Sequence, residues 1–155
     1  MQVAHVWEMS WTWSLALIAI TIAMHVTGVV LLANASERIK AKLPQLDISY
    51  LSSVPISMAL IVGVALCLAV LHGLEAIVWA FSYVHVGALS SLTDATLYSL
   101  DSMTSRGGSG LVLEERWRMM GATEAADGML LFGISTAFVF AVMARIWKKS
   151  WQVGA

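Results

Sequence analysis

Three long apolar stretches, each able to cross ~30 Å of hydrocarbon as a helix, constrain this chain more than any other feature. The first covers residues 11–33, with Ser14, Thr21, His25, Thr27 and Gly28 among its few breaks. The second covers residues 54–81 and the third residues 117–147. With 155 residues, 12% of them charged, and a mean hydropathy of +0.78, the composition excludes an ordinary soluble domain and fits the membrane class. The length allows one small domain, and nothing in the charge pattern suggests nucleic acid. Cys67 is the single cysteine, so no intrachain disulfide is available. The first stretch is too long for a signal-peptide core and has no Lys or Arg ahead of it, so it is expected to be retained.

Polar residues gather between the stretches and set the expected orientation. Residues 34–53 carry Glu37, Arg38, Lys40, Lys42, Pro44 and Asp47 and read as a cytoplasmic loop with room for a short interfacial helix, so residues 1–53 form an N-terminal transmembrane helix and loop. Arg145, Lys148 and Lys149 follow the third stretch. Between the second and third, Arg106, Arg116 and Arg118 are balanced by Asp94, Asp101, Glu114 and Glu115. Positive charge on the cytoplasmic side then puts the N-terminus outside and the C-terminus inside. Pro55 sits in the first turn of the second stretch, where a missing N–H is harmless, and Trp79, Phe81 and Tyr83 read as an aromatic belt at its far end.

Residues 82–116 are too many for a hairpin connection and too apolar for an outer loop. Residues 92–102 read as a short helix, followed by Thr104, Ser105, Arg106, Gly107, Gly108, Ser109 and Gly110. Irregular backbone at membrane depth is tolerated only where protein buries it or where it lines a watery cavity. A short helix followed by a Gly-rich strand therefore implies a pore or an internal site, and glycine permits the backbone angles that turn carbonyls toward one axis. Taken alone, the same seven residues would also suit a flexible outer loop.

The stretches Leu-His-Gly-Leu-Glu-Ala-Ile-Val-Trp-Ala at 71–80, Trp-Arg-Met-Met-Gly at 117–121 and Gly-Met-Leu-Leu-Phe-Gly-Ile-Ser-Thr-Ala-Phe at 128–138 carry a resemblance. Over residues 71–147 the chain resembles the small bacterial members of the pore-loop potassium channel superfamily, the two-transmembrane ion channels. The resemblance implies an all-α membrane protein in which residues 54–150 form a pore domain of outer helix, re-entrant pore helix, filter-like loop and inner helix. It also implies a homotetramer, monovalent cations as the partners, and a bacterial inner membrane.

The family's Thr-Val-Gly-Tyr-Gly-Asp filter falls on Ser105 to Gly110, where Gly107 alone keeps the family's residue. Arg106 would bring four guanidinium groups near a shared axis, a repulsive arrangement unless each finds a carboxylate. Asp101, Glu114 and Glu115 are the available partners. A cation pore of weak or altered selectivity is the primary expectation, with no enzymatic activity and no cofactor. A non-conducting structural or regulatory protein that retains the fold is the first alternative.

His72 and Glu75 share one helical face, as do Glu124 and Asp127. Ionisable groups inside a membrane usually face the bundle interior or a wet cavity. Here they are expected to scaffold the loop, with His72, Glu75 and Glu124 accepting hydrogen bonds from Ser99, Ser102, Thr104 or loop N–H groups. A metal or proton transporter built on His72, Glu75, Glu124 and Asp127 is the remaining alternative. No metal site is expected, because the set lacks a second well-placed His, and His25 reads as a polar contact between helices. Gly121, Ala125 and Gly128 form a small-residue stripe for close helix packing. By the resemblance, Gly128 or Gly133 would serve as the inner-helix hinge.

Overall fold

The computed structural model describes the backbone of residues 2–42 and 54–153, and the side chains of residues 11–38 and 58–145. It contains α1 (Gln2–Lys42), α2 (Val54–His85), α3 (Leu92–Met103) and α4 (Arg118–Val153), with a 3-10 turn at Glu115–Trp117. No strand occurs among the described residues. Three helices hold segments long and apolar enough to cross a membrane: Trp11–Arg38, Met58–His85 and Glu115–Arg145. Apolar side chains such as Leu15, Leu31, Leu66, Val70 and Phe140 remain exposed along them. The chain thus has the make-up of a multi-pass, all-helical membrane protein.

Several helix ends lie beyond the sequence reading, with α1 starting at Gln2 and α4 ending at Val153. α1 continues through residues 34–42, expected to be loop, because Ala-Ser-Glu-Arg-Ile-Lys-Ala-Lys contains neither Gly nor Pro and is made largely of good helix formers. Residues 43–53 of the expected loop, Pro44 and Asp47 included, lie outside the described residues. α2 runs on to His85 and is followed by Gly87, whose φ of 70° is a left-handed conformation that favours glycine.

The chain divides into two compact units. One comprises Val26–Leu71 and Gly133–Ala155. In it Gly28 faces Leu71, and a Cβ built at Gly28 would lie 2.7 Å from Leu71 Cδ2, so α1 and α2 approach closely there. An exposed Arg145–Glu37 pair at 3.2 Å adds little, since such pairs contribute about 0–1 kcal/mol.

The other unit comprises Met1–His25 and His72–Phe132, and it holds most of the buried side chains. Each helix gives it one stripe at helical spacing. α1 buries Ser14, Leu17, Thr21 and His25; α2 buries His72, Glu75, Ala76, Trp79, Ala80 and Tyr83; α4 buries Met120, Gly121, Glu124, Asp127, Gly128 and Leu131. An apolar core of Leu17, Trp79, Tyr83, Ala95, Trp117 and Met120 lies among these stripes, and Met103 packs separately with Ala76 and Leu131.

Candidate functional site

α3 is the element that positions the Gly-rich segment. Ser91 caps its N-terminus by accepting a hydrogen bond from the Asp94 N–H at 3.3 Å, and Asp94 places a negative charge in the first turn. Its C-terminus closes with the Ser105 N–H donating to Ser102 O and the Arg106 N–H donating to Asp101 O. This Schellman arrangement needs a left-handed residue at the position Ser105 occupies, which accounts for its φ of 54°.

α3 approaches α4 along the small-residue stripe. Ser102 Oγ donates to Gly121 O at 2.8 Å, and Gly121 has no Cβ to obstruct the Tyr98 hydroxyl. A Cβ at Gly128 would lie 2.7 Å from Met103 Cα and 2.9 Å from its carbonyl carbon. The end of the short helix therefore rests backbone to backbone on α4. Gly128 lies about 20 Å along the helix axis from Glu115, and Ala76, which also touches Met103, lies about 13 Å from His85. Gly133 faces open space, and α4 is helical through both glycines.

Beyond α3, Thr104, Ser105, Arg106, Gly107, Gly108 and Gly110 are exposed and Ser109 is half-buried. Gly107 and Gly110 adopt left-handed φ values of 62° and 71°. One carboxylate ties the segment together. Asp101 Oδ1 accepts from Arg106 Nε at 2.6 Å, and Asp101 Oδ2 accepts from the Ser109 N–H at 2.8 Å. Of the three acids considered as partners for Arg106, Asp101 holds it, while Glu114 pairs with Arg116 at 2.8 Å. Arg106, and next the Ser109 N–H, hold the Asp101 carboxyl well below the usual carboxylate range. Because the folded-state pKa is depressed, the stabilisation is complete above the ordinary carboxylate value near 4 and is lost as pH falls toward the folded value.

Asp101→Asn should loosen this clasp. Hydrogen exchange at the Ser109 amide is then expected to run several-fold faster than in the parent protein at neutral pH, where the parent clasp is closed. An unchanged exchange rate would show that other contacts order the segment.

The same unit holds a buried polar centre. Glu124 accepts hydrogen bonds from Ser99 Oγ at 2.5 Å and Tyr83 Oη at 2.6 Å, so α2, α3 and α4 meet at one carboxylate. Asp127 Oδ2 accepts from Thr21 Oγ1 at 2.6 Å and Trp79 Nε1 at 3.2 Å, which joins α1 and α2 to α4. Its Oδ1 is buried with no hydrogen-bond partner among the described residues. Glu75 Oε1 lies 2.8 Å from His25 Nδ1, and Glu75 Oε2 lies 3.0 Å from His72 Nδ1. The His72 ring stacks on Phe132 with centroids 4.2 Å apart.

Several sequence expectations meet this geometry differently. Ser99 donates to Glu124, Ser102 donates to Gly121 O and also lies within reach of the Glu124 carboxylate, and Thr104 donates to Leu100 O instead. His72 and Glu75 engage each other and His25 rather than the loop. Trp79 and Tyr83 are wholly buried and donate to Asp127 and Glu124, so they are not part of an interfacial belt, while Phe81 is exposed. The signal for this was present: residues 72, 75, 76, 79, 80 and 83 lie on one helical face. Thr21 reads as a break in an apolar run, yet it shares a buried face with Leu17 and His25. Comparison with protein-family models, curated proteins and solved structures finds no significant match.

Proposed function

We propose that the chain is the subunit of a homotetrameric channel that passes monovalent cations down their gradient, with residues 104–110 at the narrowest point. The observation that carries this reading is the seat of Met103 against Gly128, well inside the apolar spans that begin at Glu115 and end at His85. In a bilayer, a helix that ends at such a depth leaves its irregular continuation where only a pore or an enclosed cavity would keep its carbonyls satisfied. Four copies are required because one such segment cannot surround an ion path, and closed rotational symmetry supplies them.

The Arg106 contact favours conduction over the non-conducting alternative. Its guanidinium is engaged by Asp101 of the same chain, so four copies would carry four neutral pairs instead of four uncompensated cations. Selectivity would differ from that of a potassium filter, because Gly108 and Ser109 provide no aromatic side chain to brace the carbonyls.

Liposomes containing protein of tetrameric mass test the proposal. Potassium, sodium and caesium should all move at measurable rates with modest preference among them. Absence of flux for all three would favour a structural or regulatory role for the same fold.

A further inference from the structure

We propose that His25, His72 and Glu75 form a binding site for one divalent first-row transition metal ion, with zinc as the leading candidate, fixing α1 to α2 inside the membrane. The inference stands apart from the channel reading, since such an ion would be structural whatever the segment at residues 104–110 does.

The donor set is that of a transition-metal site. Two imidazoles and one carboxylate, all buried, present ligand atoms within 4.8 Å of one another. Borderline-soft divalent ions are commonly held by such nitrogen and oxygen donors, whereas calcium and magnesium prefer all-oxygen shells. His72 and Glu75 come from one turn of α2 and His25 from α1, the arrangement by which helical bundles build internal metal sites. Without an ion His25 Nδ1 and Glu75 Oε1 share a hydrogen bond at 2.8 Å, and the donors would part by about 0.5 Å to stand the roughly 3.4 Å apart that tetrahedral zinc with bonds near 2.1 Å requires.

Two details of the packing accompany the donor set. His72 Nδ1 and Glu75 Oε2 lie 3.0 Å apart, so both side chains turn to the same face of α2. Phe132 stacked on the His72 ring also fixes the orientation that a ligand needs. The second is Asp127 on α4, which keeps a buried Oδ1 with no hydrogen-bond partner among the described residues.

Untagged protein in detergent, stripped with a chelator and then titrated with zinc or cobalt(II), tests the inference. Uptake of about one equivalent per chain is expected, with cobalt(II) showing the visible absorption of a low-coordinate nitrogen–oxygen site and zinc raising the melting temperature. His25→Gln and His72→Gln should each lower zinc affinity at least ~10-fold, since ligand loss should exceed the effect of losing an outer-shell partner. No stoichiometric uptake by the stripped parent protein would overturn the proposal without recourse to any variant. Uptake that persists unchanged in both folded variants would overturn it equally, and would leave Glu75 as a plain acceptor between two imidazoles.

Discussion

Replacing Gly128 by Ala is expected to destabilise the protein by about 3 kcal/mol, while the same change at Gly133 leaves stability unchanged or raises it by up to about 1 kcal/mol. The new methyl at position 128 meets the backbone of Met103, with Cα at 2.7 Å and the carbonyl carbon at 2.9 Å. Backbone cannot rotate aside as a flexible side chain can, so either α3 lifts away from α4 or α4 bends. Lifting α3 also strains the Ser102 hydrogen bond to Gly121 O and the packing of Met103 on Ala76 and Leu131. At Gly133 the added methyl meets nothing, and Ala is the better helix former. Thermal unfolding in detergent, with size-exclusion chromatography to follow assembly, reads both variants. Equal behaviour at the two positions would mean that α3 does not rest on α4. The contrast also assigns the two glycines different work: Gly128 permits close approach within a continuous helix, and a hinge at either position is not needed to explain this geometry.

Glu124→Leu should destabilise by roughly 3 kcal/mol or more, lowering the melting temperature by about 6–12 °C, and Glu124→Gln by about half as much. Leucine strands the Ser99 and Tyr83 hydroxyls, both wholly buried, with no acceptor. A buried donor left without a partner costs about 1–3 kcal/mol. Glutamine keeps one carbonyl oxygen, so one of the two hydroxyls retains its bond. Hydrogen exchange should localise the loss to α3, because Ser99 is its direct tie to Glu124. If the glutamine variant instead keeps its stability and loses only transport, Glu124 belongs to an ion or proton path, and the transporter alternative gains.

The spans and the short helix were legible because length and hydropathy alone specify them. Residues 92–102 read as a short helix, which the structure ends one residue later at Met103 and caps at Ser91. What the sequence hid was rotation about each axis. In helices apolar all round, little contrast marks the inward face, so His25 reads as an isolated break, and nothing in α1 alone indicates that it meets His72 and Glu75. Trp79 and Tyr83 differ from the expected belt for a related reason. Aromatic residues near a span's end suggest an interface by composition, but their four-residue spacing continues the face of Glu75 and Ala76, and burial of the Glu124 and Asp127 carboxylates required their donors. Gly128 and Gly133 are alike in sequence, and only tertiary contact separates them. The Asp101 partner for Arg106 was among the acids considered, and the Schellman turn at Ser105 is what carries Arg106 back over it.

The account's central proposal is that residues 104–110 enclose an ion path, and thiol modification at Ser105 tests it most directly. Cys67 is first replaced by Ser, then Ser105 by Cys, and cation flux is followed in liposomes before and after a small charged methanethiosulfonate reagent is added. Flux should be present before modification and fall sharply after it, with the Cys67→Ser parent unaffected. A labelled protein whose flux does not change would remove this segment from any path the ions take.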